Sequence, residues 1–238
     1  MITSNENEKL KLVRKLGQKK HRRKMGMFVT EGEDLAAAGL EAGHVPQALL
    51  VHPDCDIPGE AVEPELLDGV ATLASGTRVI GVWNDIWAEP ELITAAKCIF
   101  VDGVSDPGNI GTIIRTVDAL MGGTVVLGPG SADPFSAIAV RASMGSVFTQ
   151  PIARGSITDT PTPRVALAVK GGERPGPMQG PATLCLGSER EGLSAEVLKE
   201  CGITWTIPQR SGGAESLNVA AAAAIACERI SSQPGETA

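Results

Sequence analysis

Arg115 stands in the stretch NIGTIIRTVDALM, where Ile110, Ile113, Ile114, Val117, Leu120 and Met121 recur at helical spacing and predict one buried stripe. At roughly 100° per residue, Arg115 projects away from that stripe, free to reach a ligand or water. An arginine so placed is equally a solvated surface charge. Asn109 at the head of the same helix reads most simply as an N-cap, with Asp106-Pro107-Gly108 making the turn before it. Further on, GSEREGL offers Gly187, where backbone can approach a ligand closely, and Glu189, a carboxylate at a strand end. The plainer reading of Glu189 is an interaction with the dipole of a helix beginning near Ser194. Ser216 and Asn218 precede an Ala-rich helix and are candidate caps for it.

Those residues must be positioned by the elements before them. TLCLGS and ITWTIP are apolar strands, and each runs into a loop rich in Gly, Ser and charge that then opens a helix. In open parallel sheets, ligands bind beyond the carboxyl ends of the strands, where helix N-termini direct unpaired N–H groups outward. Both loops are therefore expected to face one pocket. CIFVD, TVVLG and VALAVK are further strands, PFSAIAVRASM is a helix and SVFTQPI is extended, so this half alternates in the βαβ manner. Strands of continuous Val, Ile and Leu require a mostly parallel sheet covered on both faces.

The first half is built differently. MFVTEG, an Ala/Leu helix ended by Gly43, PQALLVH, a helix over PELLDGVATLAS and the strand TRVIGVWN make a compact α/β unit. The predicted division is a domain over 1–88, a linker over 89–97 containing Pro90, and a second domain over 98–238. Nine of the 21 Lys and Arg fall in the first 24 residues, opposed only by Glu6 and Glu8, although the whole chain carries a net charge of −7. This cationic arm suits RNA phosphate, with Lys19, Lys20, Arg22, Arg23 and Lys24 as its contacts. On charge alone it is equally a solvated helix end or a tail.

Several classes are excluded or disfavoured. His21, His44 and His52 lack ligand spacing, so no metal site is expected. There is no G-x-S-x-G and no histidine in the second half for a serine hydrolase. The nearest run to a dinucleotide fingerprint, Gly128-Pro129-Gly130, lacks the third glycine. The longest apolar run, Val219 to Cys227, is far shorter than the roughly 20 residues a bilayer needs, so no membrane partner is expected. Five cysteines without a C-x-x-C pair point to a reducing, cytoplasmic setting.

Three stretches taken together resemble the SpoU (TrmH-type) branch of the SPOUT superfamily, the RNA ribose 2′-O-methyltransferases. NIGTIIRTVDA (109–119) is similar to the family's first motif, LCLGSEREGL (184–193) to its second and IPQRSGGAESLNVA (207–220) to its third. VRASMGSVFTQPI, which carries Arg141, also looks like the family and adds Arg141 to the RNA-contacting set. The resemblance implies an α/β domain with a deep trefoil knot, an exception to the rule against knots. It implies S-adenosylmethionine as cofactor, held by Gly187, Gly192, Ile207 and Leu217, and a catalytic group of Asn109, Arg115, Glu189, Ser216 and Asn218. A homodimer is implied as well. FVTEGE (28–33) is similar to an N-terminal domain resembling a ribosomal RNA-binding protein, which favours ribosomal over transfer RNA. The third motif departs from the family: it is one residue longer before Glu215, has Gln209 where Met is common, and has Ala220 where Ser is typical. The competing expectation is a non-catalytic ribosome-assembly factor on the same fold.

Overall fold

The computed structural model describes residues 1–72 and 76–231 and divides into two compact units, Met1–Ile86 with Asp133–Thr149, and Trp87–Ala132 with Gln150 onward. Contacts therefore assign 133–149 to the first unit, whereas the sequence reading placed it in the second domain. The predicted linker contains a short helix, α5 below.

In the first unit the cationic arm is two helices, α1 (Glu8–Leu16) and α2 (Lys19–Met25). Asn7 caps α1 through its side chain, and Leu10, Val13 and Leu16 bury one face of it. Helix α2 ends at Gly26 in the left-handed conformation. Then follow β1 (Met27–Glu31), α3 (Glu33–Glu41), β2 (Ala48–Val51), β3 (Glu60–Ala61), α4 (Pro64–Asp68) and β4 (Val79–Asn84). The helix expected over PELLDGVATLAS stops at Asp68, and its last residues, 73–75, lie outside the described ones. The sheet order is β1-β4-β2-β3, with β4 antiparallel to both of its neighbours and β2 parallel to β3.

The segment 133–149 completes this unit's core. Phe135 stacks on Phe28 with ring centroids 4.9 Å apart, and Phe148 meets Trp83 edge-on at the same distance. The Trp83 indole N–H donates to Thr30 Oγ1 at 2.9 Å, so the buried polar end of the ring is satisfied.

The second unit comprises α5 (Glu91–Ala95), β5 (Cys98–Asp102), α6 (Pro107–Leu120) and β6 (Thr124–Leu127), then, after α7 (Ala137–Ser143) of the first unit, β7 (Ile152–Arg154), β8 (Arg164–Leu167), β9 (Thr183–Gly187), α8 (Ala195–Glu200), β10 (Ile203–Trp205) and α9 (Val219–Ser231). SVFTQPI is not continuously extended: Ser146–Phe148 form a 3₁₀ turn, and the strand begins only at Ile152. The six strands are all parallel, in the order β10-β8-β9-β5-β6-β7.

Side-chain alternation divides the residues of each strand between two faces. Cys98, Phe100, Val126 and Cys185 cluster with Ile93 of α5 and Val197 of α8. Ile99, Val101, Leu184 and Leu186 therefore point to the opposite face, where α6 packs against α9. After edge strand β10 the chain thus returns across the sheet to α6, where Lys97 Nζ and the Met178 N–H both donate to the Ile230 carbonyl, at 3.0 and 3.2 Å.

Candidate functional site

The C-terminal ends of β5, β9 and β10 carry the three motif loops, and side-chain hydrogen bonds tie these loops together. Helix α6 starts two residues before Asn109: Pro107 takes the first helical position and the Asp106 carboxylate caps it by accepting from the Asn109 N–H at 2.8 Å. Asn109 is therefore not the cap expected from sequence, and its side chain is left for other work.

That side chain spans the site. Asn109 Nδ2 donates to Glu189 Oε1 at 2.6 Å, and Asn109 Oδ1 accepts from Asn218 Nδ2 at 3.0 Å. Asn218 Oδ1 in turn accepts from the N–H groups of Ala220 and Ala221, at 2.9 and 3.3 Å, so Asn218 caps α9 as predicted. The direction of this chain is fixed at both ends. Helix N–H groups only donate and a carboxylate only accepts, so each amide has one orientation that satisfies its neighbours. The positive end of the α9 dipole is thereby connected, through two amides, to the negative Glu189.

Glu189 does not cap α8. Ser194 does, its Oγ accepting from the Val197 N–H at 3.4 Å, while the Ser194 N–H donates to Asp102 Oδ2 at 2.7 Å. Sequence reading gives Asp106 only as part of the turn before Asn109 and does not single out Asp102, although both stand in DGVSD just ahead of α6, where acidic residues suit a helix start.

Gly187 ends β9 opposite Asp102 of β5. Ser188 and Gly192 exchange backbone hydrogen bonds of 3.0 Å each way, folding the loop back on itself. A Cβ on Gly187 would lie 2.1 Å from the Gly192 carbonyl carbon, so this position admits no side chain unless the loop opens. Gly192 is exposed and has φ +71°, the left-handed region where glycine carries no steric penalty.

Arg115 is exposed and lies off the stripe of Ile110, Ile113, Ile114 and Val117, as the spacing predicted, and its side chain has no partner among the described residues. Leu120, assigned to the stripe from sequence, is instead 44% exposed near the helix end. Ser216 makes no side-chain bond among the described residues, so its predicted capping is not seen. It sits with Leu217 in the exposed segment before α9, and Ile207 is half-buried.

The surface charges separate into two kinds. Lys19, Lys20, Arg23 and Lys24 are exposed on α2, and Arg141 is exposed on α7 of the same unit. Arg22 is different: it is buried and bonded through Nε and Nη2 to Asp133 Oδ2, at 3.0 and 2.7 Å, and through Nη1 to the carbonyls of Leu16 and Gly17. Its donors are committed inside the unit, which corrects the expectation that Arg22 contacts phosphate.

The loops fit a cofactor with both apolar and polar parts. Among the described residues, the N–H groups of Arg210–Gly212 and of Ala214–Asn218 make no backbone hydrogen bond, and Leu217 is 40% exposed. Free N–H groups beside an apolar side chain are the surface that S-adenosylmethionine, with its adenine ring, ribose and amino-acid end, requires.

Comparison with known proteins agrees with this geometry. Residues 96–228 match the SpoU rRNA methylase family, and residues 7–89 match the MRM3-like substrate binding domain. The chain is 32% identical to the 23S rRNA (guanosine(2553)-2′-O)-methyltransferase RlmP of Bacillus subtilis, covering 94% of this chain and 96% of that protein. Among solved structures, an rRNA methyltransferase from Sinorhizobium meliloti superposes with a TM-score of 0.84 at 30% identity over 95% of each chain, and its AdoMet-bound form with 0.80. With the motif loops joined at the ends of β5, β9 and β10 and the match spanning residues 96–228, this chain belongs to the SpoU rRNA methylase family.

Proposed function

We propose that this protein transfers a methyl group from S-adenosylmethionine to the 2′-hydroxyl of a ribose in ribosomal RNA. The observation that carries this reading is the hydrogen-bonded chain from Glu189 through Asn109 to Asn218, which holds the three motif loops together. Bound here, the cofactor supplies a methyl group on a sulfonium, whose leaving group needs no activation. What remains for the protein is alignment of the hydroxyl and stabilisation of its oxygen as the proton passes to water.

Arg115 supplies that stabilisation. A guanidinium is a planar cation with donors only, so its N–H groups steady negative charge on the 2′-oxygen or hold the adjacent phosphate. Glu189, Asn109 and Asn218 keep the loops in register, and Ser216 beside them meets the substrate. Gly187, Gly192, Ile207 and Leu217 form the cofactor surface. The first unit, with Lys19, Lys20, Arg23, Lys24 and Arg141, grips the RNA backbone. The enzyme works in the cytoplasm as a homodimer.

The test is transfer of labelled methyl from S-adenosylmethionine into 23S rRNA lacking its modifications, with Arg115→Ala as control. Label that vanishes in the variant while cofactor still binds is the expected result. Guanosine 2553, which names the Bacillus relative, is the first position to map. Cofactor binding without transfer to free RNA or to precursor subunits would instead favour a ribosome-assembly factor on this fold.

A further inference from the structure

Beneath the second motif loop lie two thiols in contact: Cys201 Sγ is 3.6 Å from Cys185 Sγ. Cys185 is buried in β9, two residues before Gly187, and Cys201 is the half-buried residue that ends α8. The chain between them is the whole of GSEREGL and α8, so the pair sits at the base of the loop that carries Glu189.

Their surroundings are unusual for a purely structural pair. Arg164 faces Thr183 and Ala166 faces Cys185 in the parallel register of β8 and β9, so alternation puts Arg164 and Cys185 on one face of the sheet. Arg164 donates through Nη1 to Glu200 at 2.9 Å and through Nη2 to the carbonyls of Thr158 and Thr160, at 3.1 and 2.8 Å. Its Nε is buried and has no partner among the described residues. A buried N–H left unpaired costs stability, and here it lies on a cation beside two sulfurs that could carry charge. The side-chain contact with Cys185 holds the Cys201 thiol below its ordinary pKa, with Arg164 acting in the same direction against burial and Glu200. The same contact and its own burial push Cys185 up.

We propose that Cys185 and Cys201 are a peroxide-sensitive dithiol that closes reversibly to a disulfide across the base of the second motif loop. The Cys201 thiolate attacks one oxygen of hydrogen peroxide: an S–O bond forms, the O–O bond breaks and hydroxide leaves, taking the proton that Cys201 released. The Cys185 sulfur then attacks the resulting sulfenic acid, the S–S bond forms, and the hydroxyl leaves as water with the Cys185 proton. Two thiols are oxidised by two electrons in total, and the peroxide is reduced to two waters. The sulfurs must close by about 1.5 Å to reach the bonded distance, which draws the end of α8 toward β9 and shifts the loop carrying Glu189. Methyl transfer is therefore expected to fall on oxidation and return on reduction. This consequence alone rests on the function proposed above.

The experiment treats the folded full-length protein with hydrogen peroxide, removes the oxidant, counts free thiols by alkylation after unfolding in denaturant, and maps crosslinked peptides by mass. The expected result is loss of two of the five free thiols, a link between the peptides containing Cys185 and Cys201, and full recovery with dithiothreitol. Cys201→Ser should keep its remaining thiols, whereas Cys55→Ser, the control, should still lose two. A link between other cysteines, no link in the native wild type, or unchanged thiol loss in Cys201→Ser overturns the proposal. Because the wild type alone gives the peptide map, a variant that fails to fold leaves the test intact. A disulfide that forms without changing methyl transfer overturns the switching role. Reduced enzyme that transfers no methyl at all would count against the proposed function, and the thiol count would still decide the dithiol.

Discussion

Two asparagine amides, each with a single satisfying orientation, set the geometry of three loops. Truncating Asn218 removes the cap of α9 and the partner of Asn109 together. Asn218→Ala should therefore cost about 1 kcal/mol in stability, as the loss of a cap typically does. Turnover should fall by more than that cost implies, because Asn109 is then free to rotate away from Glu189. Thermal melts beside single-turnover rates separate the two effects. Arg115→Ala should lower methyl transfer by about 10²–10³-fold, the magnitude seen when one stabilising donor is removed, with cofactor affinity unchanged by calorimetry. Full activity in that variant would remove Arg115 from the mechanism. The sequence exposed Arg115 clearly, since a 3.6-residue stripe defines its own outside. It misread Asn109, because capping offsets are local while the bond to Glu189 joins residues 80 apart.

Strands and helices of the second unit were legible because their side chains report burial directly. CIFVD and TLCLG are continuous apolar runs, and both became central strands of a parallel sheet. The short loops between elements were less legible. SVFTQPI reads as extended from its β-branched and aromatic residues, but Phe148 is drawn into a 3₁₀ turn by packing against Phe28 and Trp83, a contact no local pattern encodes. At this scale Gly187 is the sensitive position. In Gly187→Ala the new methyl meets the Gly192 backbone, so the loop must open. The expected outcome is loss of cofactor binding with a lowered melting temperature, measured by titration and calorimetry. Gly202→Ala, whose Cβ meets nothing within 4 Å, should do neither.

Across the whole molecule, charge plays two roles that composition cannot separate. Arg22 and Asp133 form an ion pair whose side chains are 9% and 7% exposed. Arg22→Met alone should destabilise by about 3–5 kcal/mol, because Asp133 would be left buried and unpaired. Adding Asp133→Leu should recover much of that loss, and chemical denaturation of the three proteins tests the difference. Replacing Lys19, Lys20, Arg23 and Lys24 with Ala should leave stability nearly unchanged. It should flatten the salt dependence of binding to single-stranded RNA, by about 0.7 in the log–log slope for each phosphate that is no longer neutralised. An unchanged slope would take the α2 cations out of the interface. Sequence spacing could not distinguish Arg22 from its neighbours, because its partner lies 111 residues away.

The segment 133–149 has a further consequence for how such genes can recombine. Phe135, Phe148 and Asp133 complete the core of the first unit, yet they are encoded after the start of the second. A single crossover near residue 88 would give the recipient an N-terminal module whose Phe28, Trp83 and Arg22 face another lineage's aromatic and acidic partners. A hybrid made that way inherits a mismatched core. One that also carries 133–149 from the same parent inherits a matched one, so recognition modules on this architecture are exchanged intact only as two separated pieces of coding sequence.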